Sequence, residues 1–317
     1  GHRPPLLSLA DTRRAVEKIR AMAAPREAQP VFGLVGGGVP KAIIEPRGVL
    51  PWHGFGPIHA LNTALLTRAI KARLASLGLT RPPVLVTGTP PSVGVVGHLG
   101  EAASIYFCMD DFLNFPGVSA AMIGPLEKRL LRKIDALVAT AHSLTVSKFP
   151  ASGAAYHLPQ GVNYDHFSKP LPEPEDLRLI PHPRIGFAGT VGGCCDLGLV
   201  RRIAETYPEC SVVLVGPVAA DQATMDALKR PNVHVLGLRP YSTLPAYVQG
   251  FDVGLIPYVL NDWTKAVDSL KMLEYLAAGL PVVTSAMPEA VKYAHLVSMT
   301  VSDGDFVHAV GDALHGN

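Results

Sequence analysis

In the second half of the chain, short runs of apolar, often β-branched residues alternate with longer stretches that carry apolar side chains at helical spacing. The short runs are Arg184–Ala188, Ser211–Val215, Val233–Leu236, Asp252–Ile256 and Pro281–Thr284. The helical stretches between them are Asp196–Tyr207, Asp221–Lys229, Thr243–Gln249 and Ser269–Ala278. Because a helix-length segment separates each run from the next, the pattern predicts βαβ crossovers and a parallel sheet.

The same alternation recurs, less regularly, in the first half. The candidate strands are Pro83–Thr87, Ala103–Phe107, Ala136–Ala139 and Ala155–Leu158, and the candidate helices are Asn62–Ser76 and Ile123–Ile134. Residues 1–12 run from a polar, proline-containing start straight into a helical pattern, although an α/β domain normally opens with a buried strand. We therefore expect the opening strand of the first domain to be absent from this chain or to lie in a segment not included in it.

Residues 168–184 contain five prolines and several charges, which predicts a stiff, exposed linker. The predicted organisation is a first Rossmann-like domain at 1–168, the linker at 169–183 and a second Rossmann-like domain at 184–302. Residues 303–317 form a predicted terminal helix, a candidate to cross back to the first domain. Two parallel α/β domains joined in this way place ligands in the cleft between them, at the carboxyl ends of the strands.

Composition narrows the class of protein. Hydrophobic residues occupy 48% and charged residues 17% of the 317 positions, which excludes a disordered chain. A net charge of +2 argues against a nucleic-acid binder. The uncharged stretch at 82–100 holds four prolines and four glycines and does not predict a membrane span. Four cysteines without a C-x-x-C pair, and no apolar leader core near residue 1, favour a cytoplasmic location.

Residues 268–283, DSLKMLEYLAAGLPVV, predict a helix that begins after the N-cap candidates Asp268 and Ser269. Lys271 lies in the first turn, where the helix dipole disfavours a cation unless an anion binds at the same N terminus. Glu274 follows one turn later, where a carboxylate can accept hydrogen bonds from the two hydroxyls of a ribose. From periodicity alone, this site and an exposed Lys–Glu surface pair are equally good interpretations.

The segment Gly189-Thr190-Val191-Gly192-Gly193 directly follows a predicted strand. Glycines in such a loop let backbone amides approach a diphosphate closely. The segment is neither G-x-G-x-x-G nor a P-loop, so taken alone it favours an ordinary strand-to-helix turn.

Five segments together resemble the donor-binding half of GT-B glycosyltransferases: FAGTVGG, VLVGP, NVHVLGLRPYSTLPAYV, DVGLIPY and DSLKMLEYLAAGLPVV. The likeness is to family-four-like enzymes of bacterial capsule, teichuronic acid and exopolysaccharide assembly, with a weaker one to xanthan glucuronosyltransferase. It covers about residues 185–283 and extends less firmly to SIYFCMDDFLNFPG and LPQGVNYDHF in the first half. The resemblance implies an α/β protein of the GT-B fold, with two Rossmann-like domains that face each other across a cleft.

The resemblance also implies roles toward a nucleotide sugar for residues of the second domain. The implied contacts are Lys271 with the backbone amides of Ser269 and Leu270 at the diphosphate, Gly189 and Thr190 facing that diphosphate, Glu274 at the ribose, Leu238 and Arg239 at the base through main-chain groups, and Tyr258 lining the nucleotide pocket.

One position departs from the family. Many retaining members carry a second glutamate eight residues before the helix glutamate, and Ala266 stands there in this chain. Asp268, two residues on, is a candidate substitute, and the other interpretation is that the site lacks this contact. Inverting and retaining outcomes therefore both stay open.

Asp110 and Asp111 follow a predicted strand at its carboxyl end, where parallel sheets place active groups. Two adjacent carboxylates repel each other, which raises one pKa and suits a general base. Without the family, an Asx turn or helix cap is the favoured interpretation. The xanthan-type relatives carry a Tyr-x-x-x-Asp motif, and Tyr106 through Asp110 has that spacing, so the resemblance implies Asp110 as the base and Asp111 as a turn former or acceptor contact.

These expectations describe a glycosyltransferase that moves a sugar from a nucleotide diphosphate sugar, with UDP favoured, to a glycan or lipid-linked acceptor. No cofactor and no metal site are expected, since the histidines lack metal-binding spacing. A nucleotide-sugar epimerase and a non-catalytic nucleotide-sugar-binding protein are the alternatives. Basic helices in the first half leave a peripheral association with the inner face of the membrane open, although a packed helix with a charged outer face is favoured.

Overall fold

The computed structural model of this protein describes residue 44 and residues 56–316, and the chain divides into two compact units between Pro159 and Gln160. Each unit is built on one sheet whose strands pair in parallel, which confirms the predicted α/β class. Residues 1–12, where the place of an opening strand was in question, lie outside the described residues.

The first unit has a four-stranded sheet in the order β1-β2-β3-β4. Val84 pairs with Ala103 and Ile105 pairs with Ala136, so the carboxyl ends of the strands share one edge. The strands, all of them predicted, are β1 Val84–Thr87, β2 Ala103–Cys108, β3 Ala136–Ala139 and β4 Ala155–His157. The helices are α1 Gly56–Ser76, α2 Ala120–Leu131 and α3 His142–Ser147, with a 3-10 turn at Pro90–Gly94.

The second unit has a six-stranded sheet in the order β7-β6-β5-β8-β9-β10, which is the strand order of a dinucleotide-binding fold. The strands are β5 Arg184–Ala188, β6 Ser211–Val215, β7 Val233–Gly237, β8 Val253–Ile256, β9 Val282–Ser285 and β10 Ser298–Thr300. The helices are α4 Tyr164–Ser168, α5 Glu175–Arg178, α6 Leu197–Thr206, α7 Gln222–Leu228, α8 Leu244–Val248, α9 Leu270–Ala277 and α10 Asp303–Leu314, with 3-10 turns at Thr264–Ala266 and Pro288–Tyr293.

The core of the second unit lies along its central strands. Every residue of β5, β6, β8 and β9 is buried, as expected for parallel strands that helices cover on both faces. The helix α9 contributes Met272 and Tyr275 to this core. Tyr275 lies so close to Gly254 of β8 that a Cβ there would be 2.7 Å from its ring. This packing fixes the position of α9 against the sheet.

The segment predicted as a linker, 169–183, packs within the second unit, and the division of the chain precedes it. Leu177 is fully buried, and the carbonyl of Ile180 accepts a hydrogen bond of 2.8 Å from Nε of Arg184. Arg184 also forms an ion pair with Glu173. The prolines do keep the segment irregular, but the apolar side chains between them bury against the second domain.

The terminal helix α10, the candidate to cross back to the first domain, packs on the second sheet through the buried side chains of Phe306 and Val310. The hydroxyl of Tyr207 at the end of α6 donates to the carbonyl of Val307 at 2.7 Å. In the described part of the chain, the helices are too short or too polar to cross a membrane.

Candidate functional site

In the second unit the strand order reverses between β5 and β8, and at such a point a parallel sheet leaves a crevice beyond its carboxyl edge. Two loops enter this crevice, one after β5 and one after β8. The amide of Asp196 donates to the carbonyl of Pro257 at 2.7 Å, and the amide of Val259 donates to the carbonyl of Cys194 at 2.9 Å. These bonds join the two loops into one wall of a candidate site.

Lys271 reaches this wall from the first turn of α9. Its ammonium nitrogen lies 6.0 Å from the ring centroid of Phe187 and 5.8 Å from that of Tyr258. Burial raises the pKa of the Tyr258 phenol well above its ordinary value, so this ring is neutral. No carboxylate of the described residues forms an ion pair with Lys271. A half-buried cation between aromatic rings, without a carboxylate counterion in that part of the chain, suits a bound anion.

The N terminus of α9 adds further positive potential. Ser269 is its N-cap, but the Ser269 side chain does not cap the helix. Its hydroxyl is buried beside the phenol of Tyr258 without reaching the geometry of a hydrogen bond. The amides of Leu270 and Lys271 belong to the first turn, where helix amides lack an acceptor within the helix. An anion at this position would therefore meet free N–H groups, the helix dipole and the Lys271 ammonium together.

Glu274 lies one turn further into α9 and is only 5% exposed. Burial raises the pKa of its carboxyl to about 7, while the nearby Lys271 ammonium opposes that shift. Its charge in turn adds to the effect of burial in raising the pKa of Tyr241. A buried carboxyl with a pKa near neutrality is typical of a ligand-binding position, where bonds from the ligand would favour the ionised form.

Asp268 stands just before α9 and has both carboxylate oxygens engaged. Oδ1 forms an ion pair of 2.9 Å with the ammonium of Lys292, and Oδ2 accepts a bond of 2.8 Å from the amide of Gln160. The structure thus ties Asp268 to the first residue of the second unit. A sugar contact in place of Ala266 would have to use the lone pairs that these two bonds leave open, on a side chain that is only 2% exposed.

The turn after β7 holds Leu238 and Arg239, for which the resemblance implies main-chain contacts with a base. The guanidinium of Arg239 is held by Asp176 Oδ2 at 2.6 Å and by the hydroxyl of Tyr247 at 2.7 Å. Nη1 of Arg239 also donates to the carbonyl of Leu238 at 3.1 Å, so the guanidinium is engaged within the protein and part of the main chain of this turn is engaged with it. Leu238 is 70% exposed and follows Gly237, which has a φ of +73°.

Thr190 and Gly189 lie where the sequence placed them, at the end of β5, with Thr190 exposed and Gly189 half-buried. Sequence reasoning missed two residues that shape this strand end. The hydroxyl of Tyr275 accepts a bond of 2.7 Å from the amide of Ala188. Gly216 has a φ of +146°, and a Cβ there would lie 2.6 Å from the carbonyl carbon of Gly189. The glycine of VLVGP was the available signal for the second of these.

In the first unit, Asp110 and Asp111 follow β2 at its carboxyl end, as predicted. The thiol of Cys108 donates to the carbonyl of Asp110 at 3.3 Å, and the amide of Phe112 donates to the same carbonyl at 3.1 Å. Asp111 forms an ion pair of 3.0 Å with Lys148. The carboxylate of Asp111 is thus paired with a neighbouring cation.

Tyr106 of the Tyr-x-x-x-Asp spacing is fully buried and donates from its hydroxyl to Glu127 at 2.8 Å. Its part in this unit is internal packing and hydrogen bonding. Within the residues that the structure describes, no group of three or more His, Cys, Asp or Glu side chains is arranged to hold a metal ion.

Comparison with known proteins finds relatives of this chain in sequence and in fold. Residues 197–315 match the family model described as "Glycosyl transferases group 1". The teichuronic acid biosynthesis protein TuaH of Bacillus subtilis, itself named as a glycosyltransferase, is 29% identical over 179 residues, which is 54% of this chain and 45% of that relative. This chain thus spans less than half the length of that relative.

Solved structures of two synthases have the same fold. A trehalose-6-phosphate synthase structure from E. coli, bound with UDP-2-fluoro glucose, superposes with a TM-score of 0.61 at 15% identity, over 83% of this chain and 72% of that chain. The sucrose-phosphate synthase of Thermosynechococcus elongatus gives a TM-score of 0.61 at 16% identity, over 81% and 69%. These neighbours are GT-B glycosyltransferases, which confirms the predicted fold family.

Proposed function

We propose that the protein is a glycosyltransferase that uses a nucleotide diphosphate sugar, and the match of residues 197–315 to the group 1 glycosyl transferase model supports this proposal. The observation that carries this proposal is the position of Lys271. Its ammonium stands at the strand-order reversal, over Gly189 and beside the free N terminus of α9, with no ion pair to a described carboxylate. That combination suits a diphosphate, whose charge grows as the sugar departs.

The nucleotide is assigned to the carboxyl edge of the second sheet. In this proposal Glu274, which is 5% exposed, accepts hydrogen bonds from the ribose hydroxyls, and the turn at Leu238, which is 70% exposed, contacts the base through its backbone. Uridine is favoured, because the trehalose-6-phosphate synthase structure from E. coli is bound with a UDP sugar analogue. Tyr258 then lines the pocket beside the diphosphate.

The reaction is a displacement at the anomeric carbon of the donor sugar. Asp110 takes the proton of the acceptor hydroxyl, the acceptor oxygen forms a bond to the anomeric carbon, and the bond to the diphosphate oxygen breaks. The nucleoside diphosphate leaves with that electron pair, and Lys271 and the amides of α9 stabilise its charge. Since the protein supplies this positive charge, the proposed reaction uses no metal ion.

The acceptor class follows from the relative. TuaH is named for teichuronic acid biosynthesis, so a saccharide or lipid-linked acceptor in bacterial surface polysaccharide assembly is proposed. Such an acceptor would be met at the inner face of the membrane. A groove of about 970 Å³ in the first unit is lined by Arg68, Lys71 and Arg129, and this basic surface supports a peripheral contact with anionic lipid. Co-sedimentation with vesicles that contain or lack anionic lipid tests that contact.

The decisive experiment measures UDP binding and sugar transfer by the wild-type protein and by Lys271→Met. We expect Lys271→Met to weaken UDP binding about 10- to 100-fold, since a charge-assisted contact is worth roughly 1.5–3 kcal/mol. Lys265→Met is the matched control, because Lys265 is exposed and forms its own ion pair with Asp262 at 3.0 Å. It should bind UDP as the wild type does.

The outcomes separate the alternatives. Transfer of sugar from a UDP sugar supports the proposal, and interconversion of the donor sugar without transfer would replace it with an epimerase. UDP binding with neither reaction, across a panel of saccharide and lipid-linked acceptors, would indicate a nucleotide-sugar-binding protein. A bound ligand at 100 times its Kd should stabilise the protein by about 2.7 kcal/mol and so raise its melting temperature. If no UDP, GDP or dTDP sugar raises the melting temperature, the nucleotide-sugar site itself is refuted.

A further inference from the structure

Four buried or nearly buried side chains of the first unit form a continuous chain of contacts, here called the Lys148 network. The hydroxyl of Tyr106 donates to Oε1 of Glu127 at 2.8 Å, and Oε2 of Glu127 lies 2.8 Å from the ammonium of Lys148. The same ammonium lies 3.0 Å from Oδ1 of Asp111. Beyond it, Oδ2 of Asp111 accepts a bond of 2.6 Å from the side-chain amide of Asn114.

The network lies inside the protein. The side chains of Lys148 and Glu127 are 5% and 4% exposed, and that of Asp111 is 15% exposed. Burial alone would lower the pKa of Lys148, but Glu127 and Asp111 outweigh it and hold that pKa above its ordinary value. One cation therefore serves two carboxylates.

Stability alone is a poor explanation for such an arrangement. Taking charges out of water costs several kcal/mol for each ion, and apolar side chains of similar volume would often hold the same elements together equally well. What apolar side chains cannot do is fix the direction of a carboxylate. A buried polar network whose members are all paired also makes the elements that it joins more rigid.

The geometry imposed here is that of the loop after β2. Asp111 is the member of the network that lies in this loop, directly after Asp110. The turn is closed locally by the amide of Asn114, which donates to the carbonyl of Asp111 at 3.1 Å, and Thr140 donates to the carbonyl of Met109 at 3.2 Å. Lys148 thus connects the loop to α2 and β2 through Glu127 and Tyr106.

We propose that Lys148 is a positioning residue for the acceptor side of the reaction: by holding the carboxylate of Asp111, it fixes the loop at 110–117 and with it the orientation of Asp110. This inference rests on the proposed function, in which Asp110 takes the proton of the acceptor hydroxyl. Lys148 itself touches no substrate. Its side chain is only 5% exposed, and its ammonium is paired with the carboxylates of Asp111 and Glu127.

The test compares Lys148→Met with Tyr106→Phe. Tyr106→Phe removes a buried bond at the far end of the network, so it destabilises the same unit but leaves the Lys148–Asp111 pair in place. For Lys148→Met we expect kcat to fall about 100-fold with the KM for the UDP sugar within twofold of the wild type, because a small misplacement of a reacting group has that effect. Tyr106→Phe should keep kcat within about threefold, and Lys148→Arg should recover part of the loss.

A second measurement needs no activity. Hydrogen exchange of the amides at 112–118 should be faster in Lys148→Met than in the wild type or Tyr106→Phe, because the loop has lost its anchor. If Lys148→Met fails to fold, Asp111→Asn replaces it. That substitution keeps the size of a half-buried side chain, removes its charge, and should give the same fall in kcat.

The results that overturn the inference differ from those that overturn the proposed function. Equal losses of kcat in Lys148→Met and Tyr106→Phe, or unchanged kcat in Lys148→Met, refute the positioning role while leaving the transferase intact. Absence of transfer in the wild type refutes the proposed function. The anchoring of the loop can still be tested without activity. It is refuted if the amides at 112–118 exchange as slowly in Lys148→Met as in the wild type.

Discussion

The side chain of Lys271 passes directly over Gly189, where a Cβ would stand 3.0 Å from the ammonium nitrogen and 2.9 Å from the ring of Phe187. The two residues are 82 positions apart in sequence, and they meet because α9 begins at the carboxyl edge of the sheet where β5 ends. The absence of a side chain at 189 is what lets the ammonium lie against the strand end. Lys271 can therefore occupy this position only because residue 189 is a glycine.

Gly189→Ala should weaken UDP binding. Its methyl group would meet Lys271, and the flexible lysine would move away from the strand end more readily than the strand itself. We expect the dissociation constant for UDP to rise about tenfold, which corresponds to roughly 1.4 kcal/mol, and calorimetric titration measures it. Backbone strain should be small, since the φ of Gly189 is not in the left-handed region, so the melting temperature should fall only through the contact of the methyl group with the buried ring of Phe187.

The matched control is Gly193→Ala in the same loop. Gly193 has a φ of +65°, and a Cβ there would meet nothing within 4 Å. This substitution should cost about 1 kcal/mol of folding free energy through backbone strain and leave UDP binding unchanged. Equal UDP affinities for the wild type and Gly189→Ala would show that Lys271 does not need this position to bind the nucleotide.

Glu274 predicts a proton release on donor binding. Burial raises the pKa of its carboxyl to about 7, so about half of the free protein carries the proton at pH 7. Hydrogen bonds from ribose hydroxyls favour the ionised form and lower that pKa, so binding should release up to about half a proton and affinity should rise with pH from 6 to 8. Calorimetry of UDP-glucose binding in buffers of different ionisation enthalpy measures the release.

Glu274→Gln is the control for this release, because glutamine has a similar shape and does not titrate. Its binding enthalpy should be independent of the buffer, and its affinity should be nearly flat between pH 6 and 8. A wild-type protein that takes up protons on binding, or whose affinity falls with rising pH, would contradict the ribose contact. UDP-glucose suits this test because its phosphates are already fully ionised over this range.

Periodicity was sufficient to locate the strands that carry the candidate site. The runs at 184–188 and 252–256 are apolar throughout because both faces of a parallel sheet are covered, and the structure pairs Ile185 with Val253 in these strands. The helix with Lys271 and Glu274 was also predictable, since its glycine and proline mark its end. The short strand β10 was not, because three residues carry too little pattern.

The partners of individual side chains could not be predicted. Asp268 was a candidate for a sugar contact, and the pattern around it did not indicate its bonds with Gln160 and Lys292, which lie on other segments of the fold. Lys148 and Glu127 are 21 residues apart on separate elements, and nothing in their local sequence pattern connects them. Sequence spacing reports which face of an element a residue occupies, while such pairs depend on how the elements pack.

Tyr275 predicts a specific loss of stability. Its hydroxyl accepts the bond from the amide of Ala188, and Tyr275 is fully buried. Tyr275→Phe would leave that buried amide without its acceptor, which should cost about 1–3 kcal/mol in the free energy of unfolding. Tyr207→Phe is the control, since its hydroxyl donates to a carbonyl near the surface and its loss should cost less. Equal costs in urea denaturation would contradict a special role for the Ala188 bond.

The engagement of Asp268 predicts that it maintains the structure at the start of α9 without contacting the donor sugar. Lys292→Met would leave the carboxylate of Asp268 buried without its cation, and since Lys292 itself is partly exposed we expect a loss of about 1–3 kcal/mol in the free energy of unfolding. If Asp268 serves only this role, it makes no contact with the sugar. The affinities for UDP and for UDP-glucose should then fall by the same factor in Lys292→Met. If Asp268 instead binds the sugar, freeing it from Lys292 should change the affinity for UDP-glucose relative to UDP. Calorimetric titration of both ligands against Lys292→Met and the wild type decides between these roles. Lys265→Met is the control, because it removes a positive charge from an exposed ion pair and so shows how much of any change comes from the charge alone.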